Sequence, residues 1–186
     1  MARTWILASA LSVVSLAIVV GCMGARTAEC RMSQFSVSLG PYVSEATEQH
    51  TLALRLVNRG SRTCALDGYP RVRLLDGRGV IPFRIKHGHD QMITTQPPKP
   101  VVVRHGGSAF MILNKNACVN AVPSSVGRST TEIKVGMLGV PNAGVLNVPR
   151  RVPFPWRVPE YCGKGQVGSI IAVSPFEPTV RAGLNG

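Results

Sequence analysis

The sequence predicts an all-β domain, an antiparallel sandwich with two disulfides, preceded by an N-terminal export and lipidation segment. Three observations carry that expectation. Short Val/Leu/Ile runs recur between Gly, Pro and Asn, which punctuate strands with turns. Several runs alternate apolar and polar side chains, and none sustains the 3.6-residue period of a helix. Four cysteines beyond the N-terminal segment match the number that two bridges need.

Taken in order, Phe35, Val37 and Leu39 alternate with serines and predict a half-buried strand. Residues 50–58 put Leu52, Leu54 and Leu56 on one face and Ala53 and Arg55 on the other, the clearest strand in the chain. Asn58-Arg59-Gly60-Ser61 ends it as a turn. Gly68-Tyr69-Pro70 precedes a strand over 72–75, and Asp76-Gly77 signals a hairpin into 80–85. Pro82 cannot donate to a ladder, so that partner is an edge strand or a broken one. Residues 87–99 read as a loop, and 101–104 as a strand ended by Gly106-Gly107. The unbroken apolar run 109–113 predicts a fully buried strand. Residues 131–138 alternate Ile133, Val135 and Met137, residues 139–159 are rich in Pro and Gly, and 166–173 close the domain. The sandwich is expected over 34–180, preceded by a tether at 22–33.

Arg3, an uncharged run from Trp5 to Val20, and Gly21-Cys22 follow the order of an export signal: positive start, apolar stretch, small residue before the cut. A cysteine directly after the small residue resembles the lipobox of bacterial lipoproteins. That resemblance implies a signal peptide at 1–21, cleavage after Gly21 and a lipid on the Cys22 thiol. The chain is then held at the extracytoplasmic face of the cell membrane. An uncut membrane anchor and plain secretion are the alternatives, and all three export the domain.

Lipidation of Cys22 accounts for the odd member of five cysteines and leaves Cys30, Cys64, Cys118 and Cys162. Four cysteines allow three pairings, which sequence does not decide. Cys30–Cys64 with Cys118–Cys162 is favoured because it joins sequence neighbours in two separate loops. Zinc-finger spacing is absent, so no metal is expected at these cysteines.

The formal charge is +12, with arginines spread along the chain. No recognition helix or aromatic platform accompanies them, which argues against nucleic acid. An anionic envelope partner fits better: lipid headgroups, an acidic wall polymer or an envelope protein. Arg55, Arg71 and Arg73 on strands, with Arg150 and Arg151 in a loop, are the expected contacts.

Catalytic patterns are sparse. There is no Gly-x-Ser-x-Gly elbow and no phosphate-binding glycine loop, so no cofactor is expected. His87-Gly88-His89-Asp90 is the sharpest cluster, and with His105 it offers imidazoles for a metal. The principal expectation is therefore a non-enzymatic binding or structural module. The rival is a small metal-dependent or hydrolytic envelope enzyme using His87, His89 and Asp90. Tyr69, before a proline in a turn, is expected to pack over a disulfide or a corner.

One family carries the same landmarks. Cys30 precedes the first strand, and a later strand ends Leu56-Val57-Asn58-Arg59-Gly60-Ser61. Cys64-Ala65-Leu66-Asp67-Gly68-Tyr69-Pro70 follows, then Val72-Arg73-Leu74-Leu75-Asp76, a Gly-Gly-Ser-Ala segment at 106–109, and the late cysteines 118 and 162. Over about 30–175 the chain resembles the actinobacterial domain-of-unknown-function 4232 proteins. The resemblance implies an immunoglobulin-like β-sandwich, exported and often lipidated, with no catalytic residues to carry over.

Overall fold

The computed structural model describes residues 27–44, 46–118, 128–137, 144–148 and 158–185. Thirteen strands run through these residues: β1 (Phe35–Leu39), β2 (Gln49–Asn58), β3 (Cys64–Leu66), β4 (Pro70–Asp76), β5 (Gly79–Val80), β6 (Arg84–His87) and β7 (Val101–Val103), followed by β8 (Ser108–Asn116), β9 (Arg128–Ser129), β10 (Glu132–Met137), β11 (Gly144–Asn147), β12 (Glu160–Tyr161) and β13 (Ile170–Val173). A single helical turn, α1 (Val180–Gly183), lies near the C-terminus. The all-β expectation holds.

Two sheets face each other across one core. The larger is ordered β1-β2-β8-β13-β6 and the smaller β11-β10-β4-β5. Alternation places Leu52, Leu54 and Leu56 of β2, and Ala109, Met111 and Leu113 of β8, against Val72 and Leu74 of β4 and Ile133 and Val135 of β10. Each of these side chains is nearly or fully withdrawn from water. Burying each Leu or Ile contributes about 1.5–3 kcal/mol before entropy is counted.

The outer face of the larger sheet is also covered. Val43, Ala53, Ile93, Ile112 and Ala172 form a second cluster, joined by Met92, Val180 and Leu184. This explains the unbroken apolar run in β8: Met111 and Leu113 face the main core, while Ile112 faces the second cluster.

The two bridges are Cys30–Cys64 and Cys118–Cys162, with Cα separations of 4.9 and 5.3 Å. Four details differ from the sequence reading. Residues 28–33, within the expected tether, already belong to the fold: Glu29 bridges Ala65, and Met32 is fully buried in the core. The pairing is not wholly antiparallel, because β13 pairs β6 in parallel. The strand expected over 80–85 is split by its proline into β5, which closes the hairpin with β4, and β6, which crosses to the other sheet. Finally, the sequence does not reveal β3, β9, β11 or β12. Strands of two to four residues carry too few alternations to stand out from loop sequence.

Candidate functional site

The expected site residues scatter across the sandwich. Cys22, the signal segment and Arg150 and Arg151 lie outside the described residues. Arg55 sits on the outer side of the larger sheet, where its Nε donates to Ser108 Oγ at 2.9 Å. Arg71 and Arg73 project from β4 on the outer side of the smaller sheet. Parity keeps Arg55 away from them, since the two sheets point their outer faces in opposite directions.

Arg73 does gain a neighbour that the sequence reading missed. It stands directly opposite Lys134 of β10, and Arg71 stands opposite Gly136. Lys134 pairs with Glu132 at 3.2 Å. Like charges directly opposite on an antiparallel pair repel. The face thus holds three cations against one carboxylate.

A second group of cations gathers at one pole, organised by Asn58. That side chain is fully buried. Its Nδ2 donates to the carbonyls of Arg62 (2.9 Å) and Val103 (3.0 Å), and its Oδ1 accepts from Gly60 N–H at 2.9 Å. The amide therefore ties the turn after β2 to the end of β7. Arg59 N–H donates to Gln34 O at 2.7 Å, and Gln34 Oε1 accepts from Arg31 N–H at 2.9 Å. His105 Nδ1 contacts Gly60 O at 2.8 Å, beside Arg104. Arg31, Arg59, Arg62 and Arg104 are all exposed. None pairs with a described carboxylate. Spacing along the chain could not reveal the group, because its members come from three separate segments.

The N-terminal segment enters at this same pole. Ala28 O accepts from Ala65 N–H at 2.8 Å, Cys30 N–H donates to Ala65 O at 3.0 Å, and Cys30 is bridged to Cys64. Ala28 lies six positions after Cys22. Covalent geometry limits the reach of that stretch to about 20 Å.

The histidine loop is not assembled as a metal centre. His87 stacks on Tyr69, ring centroids 4.8 Å apart and 14° from parallel. Tyr69 thus packs on an imidazole rather than over a disulfide. His89 is exposed in a left-handed conformation (φ 50°). Asp90 turns inward and accepts from Asn114 Nδ2. Asn114 and Ser108 lie six residues apart on β8, and His105 sits beyond the Ser108 end. At about 3.4 Å per residue, roughly 20 Å separates Asp90 from His105. Among the described residues no three His, Cys, Asp or Glu side chains gather as a ligand set.

Asp76 is the strongest ionic anchor of the fold. Arg128 grips it with two bonds of 2.7 Å. That hydrogen-bonded guanidinium holds the Asp76 carboxyl well below the usual carboxylate range, against a smaller opposing effect of burial. The pair fastens β9 to the β4–β5 hairpin and is structural.

Nothing among curated proteins or solved structures matches the chain. A family model described as a domain of unknown function, DUF4232, matches residues 30–177. The matched span begins at the first bridge cysteine, just after the N-terminal segment joins β3, and ends one residue beyond the buried Phe176. It takes in both sheets and both bridges, and the chain belongs to the DUF4232 family.

Proposed function

We propose that the protein is an actinobacterial cell-envelope lipoprotein, cut before Cys22 and acylated there, serving as a non-enzymatic binding module at the extracytoplasmic membrane face. The observation that carries this reading is the entry pole. Arg31, Arg59, Arg62 and Arg104 are exposed at the end where the N-terminal segment joins the fold. A diacylglyceryl group on Cys22 supplies two acyl chains for anchoring, and a basic patch beside it adds attraction to an anionic surface. A lipid on Cys22 brings this pole within about 20 Å of the bilayer, where anionic headgroups attract each cation by about 1 kcal/mol.

The test is binding of the full chain to vesicles of phosphatidylcholine alone and with phosphatidylglycerol. Binding to neutral vesicles reads the lipid anchor, and the increment from phosphatidylglycerol reads the pole. Reversing Arg59, Arg62 and Arg104 to glutamate is expected to cut that increment roughly 100-fold, as is high salt for the unaltered chain. An increment untouched by reversal rejects the pole as the contact. A chain whose intact mass begins at Met1, or lacks acyl mass on Cys22, rejects the anchor.

The Arg71, Arg73 and Lys134 face supports a second contact, with an acidic wall polymer. A like-charged cross-strand pair costs stability in the free protein, a cost that an anion lying across it removes. Arg73→Glu is expected to raise the melting temperature slightly, by up to about 1 kcal/mol of stability, because it pairs with Lys134. The same variant loses polymer binding in a pull-down with isolated wall material. A lowered melting temperature, or unchanged binding, removes this contact.

A further inference from the structure

Lys115 is anomalous. Strand parity turns it inward, following Ala109, Met111 and Leu113, and it is only 2% exposed. Its ammonium donates to Asn116 O at 2.6 Å and lies 3.7 Å from Cys162 Sγ. His50 stands opposite it on β2. Glu160 is the carboxylate that favours its charge, yet no described carboxylate pairs with it within 4.0 Å. Burial lowers its pKa to about 8, so the amine stays largely protonated at neutral pH. A cation buried at this cost is placed beside one sulfur of the Cys118–Cys162 bridge.

The two sulfurs of that bridge differ. Cys162 is 2% exposed. Gly168 packs on it so closely that a Cβ there would lie 2.4 Å from Cys162 Sγ and 2.8 Å from Asn116 O. Cys118 is only half-buried. Both cysteines border a cleft of about 380 Å³ with Gln49, Asn116 and Gln166, and Cys118 is the more exposed of the two there. The Cys30–Cys64 bridge has no such asymmetry: both its cysteines are 3% exposed, and its sulfur neighbour is the neutral Asn58 amide, 3.8 Å from Cys64 Sγ.

We propose that Cys118–Cys162 is a thiol-exchange site, opened by an external dithiol through attack at Cys118, with Lys115 stabilising the departing Cys162 thiolate. An incoming thiolate bonds to Cys118 Sγ. The Cys118–Cys162 bond breaks and its electron pair stays on Cys162 Sγ, beside the ammonium. The dithiol's second thiolate then attacks its own sulfur in the mixed disulfide, closing the dithiol to a disulfide and releasing Cys118. Two electrons pass from the dithiol to the bridge. A thiolate that is stabilised leaves faster, so the lysine lowers the barrier to opening. Cys30–Cys64, shielded on both sulfurs, remains closed.

The experiment treats the oxidised, folded full chain with dithiothreitol at neutral pH. Alkylation at timed intervals and peptide mass mapping follow each cysteine. Cys118 and Cys162 are expected to become alkylated about tenfold or more ahead of Cys30 and Cys64. A trapped mixed disulfide is expected on Cys118. Lys115→Met is expected to slow opening of this bridge about tenfold, and Lys115→Arg to restore most of the rate. Equal or slower opening of Cys118–Cys162, or adducts on Cys162, overturns the proposal. So does a Lys115→Met chain that opens this bridge as fast as the unaltered one while Cys30–Cys64 stays closed. If Lys115→Met loosens the whole fold, Cys30–Cys64 opens too. The comparison of the two bridges in the unaltered chain, and the sulfur that carries the adduct, then decide.

Discussion

Replacing Cys30 and Cys64 together with alanine is expected to lower the stability of the folded chain by about 4 kcal/mol, and its melting temperature by roughly 12 °C. The bridge closes a separation of 34 residues, and freeing that loop restores chain entropy to the unfolded state. The native state loses contacts as well. Both cysteines sit in the main core beside Met32 and Leu66, each fully buried. Residues 28–30 hang on Ala65 by two backbone hydrogen bonds that the bridge holds in register. Differential scanning calorimetry of the double variant checks the figure. A shift of less than about 3 °C, roughly 1 kcal/mol, would show that packing of Met32 alone secures this end.

Asn58→Ala comes next in size, with an expected loss of about 3 kcal/mol. The substitution strands the carbonyls of Arg62 and Val103 and the amide of Gly60, which the side chain now satisfies. A buried polar group without a partner costs about 1–3 kcal/mol, more than its hydrogen bond contributed. Asn58→Asp is expected to be no better, because a carboxylate keeps the bond from Gly60 but cannot donate to the two carbonyls. Urea titration of the three chains measures this. An Asn58→Asp midpoint equal to the unaltered one would mean that acceptance from Gly60 carries the turn, and the two donated bonds little.

These two sites show what could be read before the fold was seen. Strand parity was legible wherever a run was long enough, as in β2, and it placed Leu52, Leu54 and Leu56 inside. The cysteine pairing was one of three that the sequence left open, favoured because it joins sequence neighbours, and it agrees with the structure. Asn58 looked like an ordinary turn residue. Its role depends on β7, 45 residues away in sequence, arriving to supply a carbonyl. Lys115 was invisible for a similar reason: alternation predicts its face, but not that the sandwich closes over that end. The basic residues chosen as contacts were half the story. Arg71 and Arg73 share a face, Arg55 points the other way, and the pole is built from turns that only tertiary structure gathers.

The last strand of the fold has a consequence for how the chain is made. β13 fills the slot between β8 and β6, and its Ile171, Ala172 and Val173 are almost wholly buried. A central position filled by residues so near the C-terminus gives the topology a high contact order, with closure expected on the millisecond-to-second scale. Until residues 170–173 dock, β8 and β6 each lack the strand that pairs between them. For the exported lipoprotein proposed above, such late closure suits passage through a translocation channel as an open chain.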